Sequence, residues 1–221
     1  ETQLAGLAAD LRERAAELNL DLPIGTHPDG YDVATQPDLF ARGASVGAPP
    51  DLVFSEGQRW GFPPPLPNAA RASGHRSLLE CLTAHFRVAR WLRVDHVIGL
   101  HRLWWVPDGA SARDGAYVNY PAEEQYAALA IAAAAVDGRV IGENLGTVPP
   151  ETNRMLRKRG FLGMYVVQFA FSPDGKPAAP ETNDLACLDT HDTATFASYW
   201  RDLDDESRAS LLDVLRDAGC L

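Results

Sequence analysis

Residues 91–105, WLRVDHVIGLHRLWW, begin as a buried strand and place one acid, Asp95, at its end. Arg93 stands two places before that acid and His96 directly after it, among apolar and aromatic neighbours. A carboxylate in such a setting is costly unless it is paired, hydrogen-bonded or used in chemistry. The pattern recurs along the chain. RVIGE (139–143) ends on Glu143, and NDLACLDTHD (183–192) ends on Asp192. LDLPIGT (20–26) reads as a short strand running into the turn HPDGYD, which carries Asp29, and GMYVVQFAF (163–171) reads as a further strand.

Helical patterns lie between these strands. Residues 1–19 repeat apolar positions at Leu4, Leu7, Ala8, Leu11 and Ala15. Further helices are predicted over about 74–90, 122–138, 149–160 (proline at its start) and 204–220 (acids in its first turn). Strands alternating with helices imply a parallel sheet with right-handed crossovers. Polar residues at the strand ends suit a (β/α)8 TIM barrel better than an open sheet, because sites in such barrels sit at the strand C-termini. The visible strands are fewer than a barrel needs. Residues 1–221 therefore read as a partial catalytic barrel domain covering about strands 3 to 7. The chain opens mid-helix and without methionine, which fits an internal piece of a longer protein.

Composition narrows the classes. With 46% hydrophobic residues the chain can bury a core, and a net charge of −10 argues against a nucleic-acid partner. The most apolar run, ALAIAAAAV (128–136), is far shorter than a membrane span. Cys81, Cys187 and Cys220 have neither redox nor metal-ligand spacing and read as reduced thiols of a cytoplasmic protein. No His, Cys and acid cluster has ligand spacing, and no glycine-rich phosphate loop follows a strand, so neither a metal nor a cofactor is expected.

Asp95, Glu143 and Asp192 would project into one mouth of a barrel. Paired carboxylates roughly 5–5.5 Å apart serve a retaining glycosidic reaction, one as nucleophile and one as acid then base. A third acid can grip hydroxyls and shift its neighbours' pKa values. Each acid alone reads equally as a helix cap or turn residue. Arg93 shares a strand face with Asp95 and suits an ion pair that keeps it ionised, or a purely structural pair. His96 and His191 suit sugar hydroxyls, or are satisfied rim histidines.

At these residues the chain resembles the 4-α-glucanotransferases known as amylomaltases or disproportionating enzymes, glycoside hydrolase family 77 of the α-amylase clan. DLPIGTHPDGYDVATQPDLF, VGAPPDLVFSEGQRWGFPP, LRVDHVIGLHRLWWVP, YVNYPAEEQYAALA, VIGENLGTVPPE and LDTHDTATFASYW carry the likeness in order along the chain. The resemblance implies transfer of α-1,4-glucan segments between maltooligosaccharides through a covalent glucosyl-aspartate, with no membrane partner. It makes Asp95 the nucleophile, Glu143 the general acid/base and Asp192 the stabilising acid. Arg93, His96, His191 and Asp29 then contact substrate. The long Pro/Gly loop at 34–68 becomes an acceptor-side lid, with Trp60 as a sugar-stacking ring and Phe54 as a lid aromatic. Ala194 stands where the family pattern suggests proline. An α-amylase-type hydrolase with the same acids, or a non-catalytic glucan-binding fragment, remain the alternatives.

Overall fold

The computed structural model describes residues 2–52, 54–171 and 176–219. Along the chain lie α1 (Thr2–Glu13), β1 (Asn19–Leu22), α2 (Tyr31–Thr35), β2 (Ala44–Ala48) and β3 (Gln58–Arg59). Then come α3 (Pro67–Ala72), α4 (Arg76–Phe86), β4 (Trp91–Val94), β5 (Arg102–Pro107), β6 (Ala116–Asn119) and α5 (Ala122–Ala134). The remainder is β7 (Arg139–Gly142), α6 (Pro150–Lys158), β8 (Gly163–Val166), β9 (Asp184–Cys187), α7 (Phe196–Asp202) and α8 (Asp205–Asp217). Local chemistry sets several boundaries. α6 starts on proline and carries Arg157 and Lys158 in its last turn. At α8, the Asp204 carboxylate accepts from the Ser207 amide at 2.7 Å and caps the helix.

β4 lies between β1 and β7, all parallel, with Asp21 opposite Arg93 and Arg93 opposite Ile141. β8 and β9 pair in parallel and join β7 through the Ile141–Leu162 bridge. Because side chains alternate across a strand, this register separates two faces. Leu20, Leu22, Leu92, Val94 and Val140 face the helices and pack with Leu82, Phe86, Tyr126, Leu129 and Leu156. Ile141, Met164, Val166, Leu185 and Cys187 pack together on the opposite face. Asp21 and Arg93 lie on that second face too, bonded to each other. The chain is thus an α/β fold, as the alternation implied. Among the described residues the parallel strands form an open row bounded by β1 and β9, not a closed ring.

A second sheet departs from expectation. β3, β2, β5 and β6 form an antiparallel sheet in that order. The stretch 34–68 is therefore not a structureless loop: it contributes α2's end, β2, β3 and the start of α3. A Cβ at Gly47 would strike the Gln58 carbonyl oxygen, so glycine is what lets β3 pair with β2. Arg59 fastens β3 to Asp108 and to the Pro107 carbonyl at 3.0 Å, and Arg113 fastens the 54–57 turn through Glu56 and the Ser55 carbonyl. Trp104 and Trp105 are β5 strand residues whose indoles donate to Ala112 O and Tyr120 Oη. α7, which periodicity left unassigned, packs Phe196, Tyr199 and Trp200 near Leu211 and Leu215 of α8. Cys81 and Cys187 are free thiols, and Cys220 lies outside the described residues.

Leu92 is fully buried where β4 meets the helices. Leu92→Ala is expected to cost about 3 kcal/mol of stability by urea denaturation; a loss below about 1 kcal/mol would refute a close-packed layer there.

Candidate active site

The inward face of the parallel strands ends in charge. Arg93, with a side chain only 10% exposed, is its centre. Nη1 donates to both Asp21 oxygens at 2.8 and 2.7 Å. Nη2 meets Asp95 Oδ1 at 2.9 Å and lies 3.9 Å from Asp192 Oδ2. Burial opposes the guanidinium's charge, but its hydrogen bonds and attraction to Asp21, with Asp95 and Glu143 beyond, outweigh that and raise its pKa. One buried cation thus draws acids from β1, from the end of β4 and from the loop after β9 to a single point.

Glu143, two residues past Ile141 on the same face, joins this group by a different route. Its Oε2 accepts from the His96 amide at 2.9 Å and its Oε1 from the Leu145 amide at 2.7 Å. Those bonds and Arg93 favour the anion, yet burial dominates and raises the carboxyl above the ordinary glutamate range. The β4 and β7 backbones cross-link as they leave the sheet: Glu143 N donates to Val94 O at 2.9 Å and Val97 N to Glu143 O at 3.0 Å. His96 takes the left-handed conformation (φ 46°), uncommon for a non-glycine residue, while its amide bonds Glu143. Burial lowers the His96 pKa against the pull of Asp95, so the ring is neutral at pH 7.

The remaining expected residues fall nearer or farther. Trp60, just beyond β3, sets its ring edge-on to His96 at a 5.5 Å centroid distance, its indole donating to Gln58 Oε1 at 3.2 Å. His191 Nε2 lies 3.4 Å from Asp192 and 3.9 Å from Asp21. Asp192 and His191 are each 66% exposed, so the β9 side of the cluster is open. Phe54 opens the 54–57 turn and is exposed, and its ring meets no other aromatic ring among the described residues. Asp29 is exposed on its turn, its amide donating to His27 Nδ1, and no described side-chain contact ties it to the acids. No group of His, Cys, Asp and Glu able to hold a metal occurs among the described residues.

Asp21 escaped the sequence reading although it is Arg93's closest partner. Its signal was the alternation of NLDL, which turns Leu20 and Leu22 to the core and Asp21 to the opposite face. Asn144 was also missed. It accepts from the Met164 amide at 2.8 Å and donates to Asn153 at 2.9 Å, fixing the Glu143 loop to β8 and α6.

The fold and these acids define a class: an α/β protein with a carboxylate cluster around one arginine at the C-terminal ends of parallel strands. The chain belongs to the 4-alpha-glucanotransferase family, whose model matches residues 1–220. It is 36% identical over 219 residues to the 4-alpha-glucanotransferase of Haemophilus influenzae, covering 96% of this chain and 31% of that protein. The Mycobacterium tuberculosis 4-alpha-glucanotransferase is also 36% identical, over 90% of this chain and 29% of its own length. Among solved structures, the amylomaltase of Corynebacterium glutamicum superimposes with a TM-score of 0.89 at 30% identity, over 100% of this chain and 35% of that one. The Streptococcus agalactiae amylomaltase in complex with acarbose gives a TM-score of 0.82 at 26% identity, over 97% of this chain and 46% of that one. The chain therefore spans a little under a third of the length of these curated relatives. No described helix is long and apolar enough to cross a membrane.

Glu143's raised pKa fixes the sign of a pH effect. Between the ordinary glutamate value of about 4.3 and the raised one, the folded chain holds a proton that the unfolded chain has lost, so stability falls as pH rises through that window. Glu143→Gln loses one acceptor at every pH but removes that slope. Its melting temperature relative to the parent is expected to improve from about pH 4 to about pH 8. A constant difference across that range would refute burial as the governing cause.

Proposed function

We propose that the chain is part of a 4-α-glucanotransferase that moves α-1,4-glucan segments between maltooligosaccharides by a retaining double displacement. The observation that carries this is the pairing of Asp95, held by Arg93 at 2.9 Å, with the half-buried Glu143 one strand away. Two carboxyls whose surroundings differ in this way divide the work of nucleophile and proton donor. The structural likeness to amylomaltases and the matching family model support the same assignment. In this reading the open row of strands is about strands 3 to 7 of a (β/α)8 barrel, residues 1–221 are part of its catalytic domain, and the enzyme is cytoplasmic.

In the first step an Asp95 oxygen bonds to the anomeric carbon. The glycosidic C–O bond breaks, and Glu143 gives its proton to the departing oxygen. Burial shifts Glu143 toward the protonated form that this step needs. Asp192 and His191, beside Arg93 and open to solvent, hold hydroxyls of the sugar undergoing transfer, with Asp29 farther along the donor. In the second step the 4-hydroxyl of an acceptor glucan attacks the same carbon, Glu143 takes its proton, and the Asp95 carboxylate leaves. Transfer prevails over hydrolysis when an acceptor surface holds sugar and excludes water. The 34–68 segment is suited to be that lid, with Trp60 as its stacking face beside His96 and Phe54 at its rim.

In the full-length enzyme, Asp95→Ala and Glu143→Ala are each expected to cut maltotriose turnover by several orders of magnitude. Near-wild-type activity in either variant would sink the assignment. Product chromatography separates the nearest alternative: a ladder of longer and shorter chains means transfer, while glucose and maltose alone mean hydrolysis. Trp60→Ala is expected to lower the transfer-to-hydrolysis ratio, and an unchanged ratio would remove the lid from the acceptor role.

A further inference from the structure

Beside Glu143 the antiparallel sheet forms one wall of a cleft of about 140 Å3. The pleat puts Arg102 and Trp104 of β5 on the same sheet face, and Trp104 pairs across with Tyr117 of β6. The Arg102 guanidinium carbon lies 4.2 Å over the Tyr117 ring, and the Trp104 and Tyr117 rings meet edge-on at 4.9 Å. The facing wall carries His96, Glu143 and Thr147.

Arg102 differs from the other arginines around this sheet. Arg59, Arg93 and Arg113 each meet a carboxylate, whereas Arg102 has no carboxylate partner among the described residues. Its Nε, like that of Arg93, is buried and meets no acceptor among the described residues. A buried donor without an acceptor costs free energy, and the planar guanidinium is already oriented by the ring beneath it. The adjacent Glu143 carboxyl disfavours an anionic ligand. A neutral polyhydroxy ring can bond the terminal Nη donors, which have no partner among the described residues, and set its apolar face against the aromatic edges.

We propose that Arg102 is a specificity-determining residue that binds hydroxyls of a glucosyl ring in this cleft, on the side of the glucan that leaves in the first step and enters in the second. The assignment of side rests on the transfer reading above, in which Glu143 exchanges its proton with the oxygen of that glucan. Asp95, Arg93 and Asp192 hold the sugar being transferred; Arg102 holds the one exchanged.

The test compares two donors in the full-length enzyme. Maltotriose expels a glucan, whereas α-maltosyl fluoride expels only fluoride. Arg102→Met keeps an unbranched apolar stem in the sheet while removing the guanidinium over Tyr117 and its donors. It is expected to lower kcat/KM for maltotriose disproportionation by about 10- to 100-fold. Initial fluoride release should fall by about tenfold less than that, and KM for a glucose acceptor should rise. Arg102→Lys, which keeps the charge but loses the fork, should show the same bias to a smaller degree. Equal losses on both donors in both variants would mean a structural role and overturn the proposal, as would an unchanged kcat/KM for maltotriose. A wild-type enzyme that makes no longer chains from maltotriose would overturn the transfer reading instead, so the two failures are distinct.

Discussion

A buried guanidinium is the constraint around which the site is arranged. Taking Arg93 out of water costs several kcal/mol, which only close and well-oriented anions offset. Asp21 supplies both its oxygens from the neighbouring strand, and Asp95 supplies one from two residues along β4. The pairing also fixes the register. A one-residue slip of β1 against β4 would turn Asp21 into the helix-facing core and Leu20 or Leu22 onto the charged face. Hydrophobic patterning and charge pairing therefore specify the same alignment. The cation belongs to the sheet before it belongs to the chemistry.

The two central carboxyls are set apart by what surrounds them. Asp95 touches the guanidinium directly, whereas Glu143 is held by backbone amides in a drier place, and burial moves it toward its neutral form. The chain is left-handed at His96, directly after Asp95, and the His96 amide bonds Glu143. Two consecutive residues thus serve the two acids: Asp95 meets the guanidinium, and His96 gives its amide to Glu143.

The parallel strands and their helices were legible because each carries an apolar run of the right period bounded by turn residues. The acids at the ends of WLRV and RVIG were legible for the same reason: a charge after a buried strand stands out. The antiparallel sheet was not. β3 is a pair of residues, Gln58 and Arg59, whose pairing depends on Gly47 across the sheet and on no local pattern. Trp104 and Trp105, side by side in β5, break the alternation that would have announced a half-buried strand, because both faces of that sheet are partly covered. Asp21 was hidden for the opposite reason. In the short strand NLDL an acid between leucines reads as the solvent face, and nothing nearby in sequence reveals that its neighbour is a buried arginine 72 residues away.

His96 links these two kinds of structure. Its backbone leaves β4 and bonds Glu143, while its ring meets Trp60 on the antiparallel sheet. The sheet is tied down independently by Arg59 and Arg113, so Trp60 is held by a braced support and not by a free loop. The ring contact and the amide bond share one residue in a constrained backbone conformation. Trp60 thus neighbours the residue whose amide helps to hold Glu143. Segment 34–68, which in sequence reads as a peripheral loop, is joined through His96 to the Glu143 carboxyl.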